Sequence, residues 1–209
     1  MKLRHDALYA SRRSPVLARN IVSTSQPLAA QAGLRMLLAG GNAADAALAS
    51  AIALTVVEPT GNGLGSDAYA IIWDGKELHG LNASGRAPGT WTPERFAGAD
   101  KMPQRGWESV TTPGAVSAWR EISDKFGKLP FEKLFEPAVE YASRGFAVSP
   151  IIATLWEKGG QTLGKQPGFA EAFLPGGKAP KAGELFVNKA AADSLIDIAQ
   201  TKGESFYRG

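Results

Sequence analysis

Few side chains in this sequence could carry out covalent chemistry, and none stands in a complete catalytic arrangement. The chain has no cysteine and only two histidines, His5 and His79, so no transition-metal centre is expected. No cofactor is expected either. His79 falls in a predicted strand, and we interpret it as a surface residue of that strand and not as a catalytic base. A general base must lie within hydrogen-bond distance of the proton that it removes, and a position in a strand does not establish this. Ser66 lacks the strand–turn–helix context of a serine-hydrolase nucleophile. Thr111 and Thr112 are internal, whereas a threonine activated by its own amine must begin a chain.

Arg86 is the exception that merits a functional hypothesis. It follows a predicted strand, with Gly85 before it and Ala87-Pro88 after it, so its guanidinium would stand at the mouth of a loop. A guanidinium in that place can hold a carboxylate through two hydrogen bonds. The residues alone still favour the alternative, which is a surface arginine or a structural ion pair.

A glycine-rich stretch at 61–65 does not indicate a nucleotide site. A dinucleotide loop follows a strand and precedes a helix, whereas the order predicted here is helix, loop, strand. Ser66 also stands where that fingerprint requires its third glycine. We interpret these glycines as residues that allow close packing or a positive φ.

The segment that must position these residues is a helix predicted from Ala43 to Val57. It is apolar on all sides, which predicts burial on every side at the centre of the domain. Asn42 is a favourable N-cap, Asp45 lies in the first turn, and Glu58-Pro59 ends the helix.

The other elements follow from hydrophobic periodicity and from glycine and proline punctuation. A strand is predicted at 21–24, and Ser25 is expected to cap a helix with Pro27 in its first turn that ends at 38–39. Asp74-Gly75 predicts a hairpin turn between strands 68–73 and 77–83. A loop is predicted at 86–113, with one helical turn near 93–96. It is followed by predicted helices at 114–126, 131–143 and 150–158. An exposed irregular segment at 159–183, a short apolar run at 185–187 and a helix at 190–200 complete the predicted elements.

Composition excludes several classes of partner. The 209 residues are 44% apolar and 21% charged, with a net charge of +3, which is typical of a globular protein and too small to indicate nucleic-acid binding. Residues 1–20 form an irregular lead without a continuous apolar segment, so no signal peptide is expected. The longest apolar run is too short to cross a membrane. With the absence of cysteine, these features favour a cytoplasmic protein without membrane contacts.

Several segments together resemble the N-terminal, large-subunit part of the γ-glutamyltranspeptidase family, in its acylase-like branch. The resemblance extends from Ile21 to Gly209, which gives a partial large-subunit domain over 21–209. Its carriers are the helix-pair sequence AGGNAADAA, SGRAP at 84–88, VTTPGAV at 110–116, LFEPAVEYASRGF at 134–146 and FYRG at 206–209.

This resemblance implies an α+β fold, the αββα sandwich of N-terminal-nucleophile hydrolases, of which the chain carries the helix-rich N-terminal portion and part of one sheet. It also implies a longer proenzyme that cuts itself and frees a threonine, which then attacks a γ-glutamyl or acyl amide. That threonine would lie beyond this chain. The remainder of the large subunit and the small subunit would be partners, and the isolated chain is expected to be inactive. The alternative is an inactive binding or assembly module that uses the same portion of the fold.

Two departures from the family pattern bear on the substrate. Transpeptidases of the family carry Arg-Glu-x-Ala-Pro, and that arginine holds the substrate α-carboxylate. Ser84 occupies the arginine place here, and Arg86 stands two residues later. In an extended segment the two residues would share a face, about 6–7 Å apart. Gly65-Ser66-Asp67-Ala68 replaces the family's run of four glycines, which also favours an acylase-like hydrolase over a glutathione transpeptidase.

Overall fold

The computed structural model describes residues 15–209. Residues 15–20 contain no helix or strand, and the first fourteen residues of the predicted lead lie outside the described part. The helices are α1 (Pro27–Leu38), α2 (Ala43–Val57), α3 (Ala115–Phe126), α4 (Glu136–Arg144), α5 (Pro150–Leu163), α6 (Phe169–Phe173), α7 (Lys189–Thr201) and α8 (Glu204–Arg208). The strands are β1 (Ala68–Trp73), β2 (Leu78–Ala83), β3 (Phe146–Ala147) and β4 (Leu185–Phe186), and 3₁₀ turns cover Pro93–Phe96, Trp107–Ser109, Phe131–Phe135 and Pro175–Gly177.

Helix α2 is the centre of the core, as its sequence predicts. It begins with a reciprocal capping box between Asn42 and Asp45 and ends at Val57, two residues before Pro59. It packs against α1, α3, α4 and the turn at Phe131–Phe135. The expectation of burial on every side is wrong at one edge, where Ala43 and Ala47 are exposed.

The carboxylate of Asp45 fastens the start of α2 to the segment that follows α3. It is fully buried and accepts hydrogen bonds from the backbone amides of Asn42 (2.8 Å), Lys128 (3.1 Å) and Leu129 (3.3 Å). A buried carboxylate requires such donors, because the cost of its dehydration is otherwise not recovered. The helix start and the connection are therefore held together by one side chain.

The residues before α1 differ from their prediction in two ways. Segment 21–24 is not a strand, because no other strand of the described chain runs beside it. The cap of α1 is Gln26 rather than Ser25, and its side-chain oxygen accepts the amides of Leu28 and Ala29. Ser25 instead donates its hydroxyl to Glu58, at 2.7 Å. Pro27 does occupy the first turn of the helix.

Strands β1 and β2 form the predicted antiparallel hairpin, with Ala68 opposite Ala83 and Trp73 opposite Leu78. One face packs against the core beside α3. The other face is exposed and apolar, and its members are Tyr69, Ile71, Trp73 and Leu78, between 64% and 79% exposed. His79 lies on the inner face, with its ring 4.9 Å from that of Phe126. Its interpretation as a surface strand residue is therefore wrong.

The second half of the chain adds helices that the sequence did not indicate. Helix α5 continues past Gly159 to Leu163, because two glycines weaken a helix by only about 1 kcal/mol each and packing can outweigh that cost. Gly160 faces the Leu174 side chain, which lies 3.1 Å from the place a Cβ would take. Helices α6 and α8 lie outside the predicted helices. Helix α6 falls within segment 159–183, most of which is exposed as predicted.

Strands β3 and β4 form a second small antiparallel sheet, with Phe146 opposite Phe186. The ring of Trp156 packs on Phe186 at 4.7 Å, so this sheet belongs to the same core. Within residues 15–209, no helix combines the length and the apolarity that crossing a membrane requires.

Candidate functional site

A solvent-open cavity of about 600 Å³ lies where β2 ends. It is bordered by the segment that follows β2, the segment that precedes α3, the first turn of α3 and one residue of α8. The lining residues are Asn82, Ala83, Ser84, Gly85, Arg86, Thr112, Pro113, Gly114, Ser117 and Tyr207. Arg86 is the one charged residue among them, so the cavity favours an anionic group.

Two glycines allow the bordering segments to run backbone against backbone. Gly85 has a φ of +78°, and a Cβ at that position would overlap the carbonyl group of Thr112. A Cβ on Gly114 would overlap the carbonyl group of Ala83. Larger residues would separate the two segments, so both glycines are required by close approach.

Hydrogen bonds then fix the backbone that carries the two predicted site residues. The Thr112 amide donates to the carbonyl oxygen of Arg86, at 3.0 Å. The Thr111 hydroxyl donates to the carbonyl oxygen of Ser84, also at 3.0 Å, and the Ser84 amide donates to the side chain of Asn82. The main chain from Ser84 to Arg86 is thus held in place although it belongs to no helix or strand.

The structure brings both predicted residues to the cavity, but not in the geometry assumed for an extended segment. Gly85 lies in the left-handed region, so Ser84 and Arg86 are not consecutive positions on one face of a strand. Ser84 is half-buried and Arg86 is exposed. Arg86 forms no ion pair with any residue in 15–209, so its guanidinium is available to a ligand.

Tyr207 is the lining residue that sequence reasoning missed. Its hydroxyl donates a hydrogen bond to the carbonyl oxygen of Pro113 at 2.8 Å and accepts one from the Ser117 amide at 3.0 Å. The hydroxyl therefore connects α8 to both the segment before α3 and the first turn of that helix. The motif FYRG at 206–209 contains this tyrosine, and its spacing gives no signal for these contacts.

Ser66 contributes its backbone to the same region. Its carbonyl oxygen accepts hydrogen bonds from the amides of Gly114 (3.1 Å) and Ala115 (2.9 Å), which ties the loop before β1 to the start of α3. This position agrees with the prediction that Ser66 has no strand–turn–helix context.

A second group of polar side chains lies at the tip of the hairpin. His79 Nε2 lies 2.9 Å from an oxygen of Asp74 and 3.7 Å from an oxygen of Glu77. The ring nitrogen and the two carboxylate oxygens, one from each residue, all lie within 4.8 Å of one another. The amide of Glu77, the side chain of His79 and the amide of Lys76 together lower the pKa of Asp74 from 3.8 to about 2. These contacts stabilise the turn between β1 and β2.

A larger cavity, of about 750 Å³, lies between α5 and residues 174–182. Its charged members are Glu157, Lys178 and Lys181, which are exposed on its rim. The hydrogen bonds described among its lining residues join near neighbours in the sequence, such as the Thr154 hydroxyl and the Pro150 carbonyl oxygen at 3.1 Å. The walls of the cavity at the end of β2 are joined by hydrogen bonds between distant segments, so that cavity is the better candidate site.

Comparisons with known proteins agree over almost the whole chain. The sequence profile of the family described as Gamma-glutamyltranspeptidase matches residues 29–209. The glutathione hydrolase-like YwrD proenzyme of Bacillus subtilis (strain 168) is 38% identical over 200 residues, which are 94% of this chain and 38% of that protein. The acylase ACY 1 proenzyme of Pseudomonas sp. (strain SE83) is 37% identical over 205 residues, covering 92% of this chain and 37% of that protein.

A solved structure gives the same result at the level of the fold. The crystal structure of a cephalosporin acylase from Bacillus halodurans superposes with a TM-score of 0.92 and 46% identity, covering 100% of this chain and 41% of that one. The present chain therefore spans about two fifths of the length of these relatives.

Proposed function

This chain belongs to the γ-glutamyltranspeptidase family, and we propose that it forms the carboxylate-recognition part of an autoprocessing acyl amide hydrolase. The fold of the described residues is that of the family's N-terminal-nucleophile hydrolases, as predicted. In this proposal the nucleophilic threonine comes from the part of the protein that relatives carry outside the matched region. The chain's own contribution is to bind and orient the acyl group.

The reaction assigned to the whole protein is amide hydrolysis. The threonine hydroxyl attacks the amide carbonyl while the α-amine of the same residue takes its proton, and the amine product leaves after protonation. Water then attacks the acyl ester, which releases the acid and restores the threonine. Orientation of the acyl chain matters here because a reacting pair held in the right geometry reacts much faster than a free one.

The observation that carries the proposal is the cavity with Arg86 as its one charged residue. The guanidinium is exposed, forms no ion pair with a described residue, and extends from a backbone held by hydrogen bonds. It can bind a carboxylate through two hydrogen bonds. In this proposal Arg86 binds a carboxylate of the substrate, and Ser84 forms an uncharged part of the cavity wall beside it.

The same cavity favours a substrate whose acyl group has a carboxylate but no amine over a substrate with a γ-glutamyl group. A γ-glutamyl group carries an α-amine as well as an α-carboxylate, and a protonated amine calls for an acidic partner. None of the lining residues is acidic. An acyl chain that ends in a carboxylate, without the amine, needs from this wall of the site only a cation such as Arg86.

The exposed face of the hairpin supports the proposal that other parts of a longer protein pack against this chain. Tyr69, Ile71, Trp73 and Leu78 form an apolar sheet face of the kind that a sandwich fold covers with a second sheet. In this proposal the remainder of the large subunit and the small subunit pack against this face.

The test uses the full-length proenzyme as its host encodes it and three anilide substrates with the same leaving group. One carries a γ-glutamyl group, one the matching chain that ends in a carboxylate but lacks the α-amine, and one a neutral acyl group of similar length. The proposal predicts the highest kcat/KM for the second substrate. A preference for the γ-glutamyl anilide would overturn the acyl assignment, and hydrolysis of none of the three would overturn the reaction.

A further inference from the structure

We propose that Tyr207 is a positioning residue that holds the carboxylate-binding segment Ser84–Arg86 in place and so sets the affinity for carboxylate-bearing acyl groups. This inference rests on the proposed function. Tyr207 lies far from Arg86 in the sequence. The two residues are linked through segment 111–113, which forms hydrogen bonds with both Tyr207 and the site segment.

The first link is the double contact of the Tyr207 hydroxyl. It donates to the Pro113 carbonyl oxygen at 2.8 Å and accepts from the Ser117 amide at 3.0 Å. The amide belongs to the first turn of α3, where backbone donors have no partner within the helix. The same oxygen atom of the tyrosine thus supplies an acceptor for the Ser117 amide and a donor for the Pro113 carbonyl group.

The second link runs from Pro113 to the site. The two residues before it bind the site segment, Thr112 through the Arg86 carbonyl and Thr111 through the Ser84 carbonyl, both at 3.0 Å. Residues 110–113 belong to no helix or strand, so their position depends on these contacts and on the hydrogen bond from the next amide, that of Gly114, to the Ser66 carbonyl oxygen at 3.1 Å. A displacement of Pro113 is therefore transmitted directly to the backbone of Ser84 and Arg86.

Helix α8 is held against α3 by contacts that do not involve the hydroxyl. Arg120 forms an ion pair with Glu204 at 3.2 Å. Gly203 packs so closely that a Cβ there would lie 2.9 Å from the Val116 side chain, and Phe206 packs against the core. Removal of the hydroxyl alone therefore leaves α8 in place, while it loosens the segment at the cavity wall and leaves the Ser117 amide of α3 without this acceptor.

The experiment compares Y207F with Y141F in the full-length enzyme. Tyr141 is a matched control because its hydroxyl also donates to a backbone carbonyl, that of Leu28 at 3.2 Å, but it does not line the site cavity. We expect Y207F to raise KM about 5-fold or more for the anilide whose acyl chain ends in a carboxylate, with kcat within about 2-fold. KM for the neutral acyl anilide should not change, and Y141F should change neither value.

A double-mutant cycle separates positioning from a general structural effect. If Tyr207 acts through Arg86, then Y207F has no further effect on KM when Arg86 is already alanine. An equal loss with both substrates, or the same loss in the R86A background, would overturn the inference.

Binding of glutarate, a simple dicarboxylate, supplies a readout that does not depend on turnover. Calorimetric titration should show weaker glutarate binding to Y207F than to the wild-type enzyme, and no change for Y141F. If the wild type hydrolyses no amide, the proposed function fails, and this titration still decides the role of Tyr207. Equal glutarate affinity in the wild type and Y207F would contradict that role.

Discussion

The backbone amide of Thr112 donates a hydrogen bond of 3.0 Å to the carbonyl oxygen of Arg86. This contact joins the segment before α3 to the segment after β2, and it is possible only because Gly85 and Gly114 let the two backbones approach. The arginine is therefore held at its main chain, while its guanidinium forms no ion pair with residues 15–209. That arrangement suits a residue that must meet a ligand at a fixed place.

Arg86→Ala in the full enzyme should raise KM for an acyl substrate that ends in a carboxylate by roughly 10-fold or more, since a charge-assisted hydrogen bond contributes about 1.5–3 kcal/mol. Arg86→Lys should recover part of the affinity, because lysine keeps the charge and loses the two-pronged geometry. Steady-state kinetics with charged and neutral substrates measure both effects. Arg144→Ala is the control, at an exposed arginine that does not line the cavity. An unchanged kcat/KM in R86A would return Arg86 to a structural role.

Gly85→Ala should destabilise the protein by about 3 kcal/mol or more, because it adds a collision with Thr112 to the strain of a positive φ. Gly75→Ala is the matched control: it also has a positive φ, but a Cβ there would meet nothing within 4 Å. Strain alone should cost that variant about 1–2 kcal/mol. Chemical denaturation gives both free energies of unfolding, and equal losses would show that the close approach is unimportant.

Asp45→Asn should lower the free energy of unfolding by about 2–3 kcal/mol, since the new amide group can no longer accept from all the donors around it. Asp124→Asn, which weakens an exposed pair with Arg120, should cost less than about 1 kcal/mol. Urea denaturation of the two variants provides the comparison. A loss in D45N no larger than that in D124N would contradict the assigned role of Asp45.

The Asp74 carboxyl should titrate near pH 2 in the folded protein, below its ordinary value of 3.8. Because the folded pKa is the lower one, this contribution to stability is complete above about pH 4 and is lost as the pH falls toward 2. A carboxyl-carbon NMR titration measures the value directly. His79→Phe keeps a ring beside Phe126 but removes one donor, so it should raise the pKa of Asp74 only part of the way, because the amides of Glu77 and Lys76 remain. An ordinary pKa for Asp74 in the wild type would contradict the contacts described at the hairpin tip.

Elements with a strong local signal were predictable from the sequence. The cap and end of α2 follow from Asn42, Asp45 and Pro59, and the hairpin follows from alternation around Asp74-Gly75. The errors lie where the tertiary environment decides. Segment 21–24 has a strand composition but no strand neighbour in the described chain, and α5 runs through Gly159 because packing outweighs the weak preference of glycine against helices.

The site could be predicted only in part for the same reason. Arg86 was identifiable from its type, its neighbours and a family pattern, and it does line a cavity. Tyr207 was not identifiable, because its contacts with Pro113 and Ser117 span 94 and 90 residues of sequence and leave no local pattern. His79 was misplaced because alternation in a strand does not say which face meets the core.

We propose that this chain belongs to an autoprocessing amide hydrolase whose nucleophile is a freed threonine. The decisive experiment is intact mass measurement with N-terminal sequencing on the protein as its native host makes it. We expect two chains, of which the one that does not contain residues 15–209 begins with threonine. A single uncleaved chain, or a second chain that begins with a residue unable to act as a nucleophile, would contradict it.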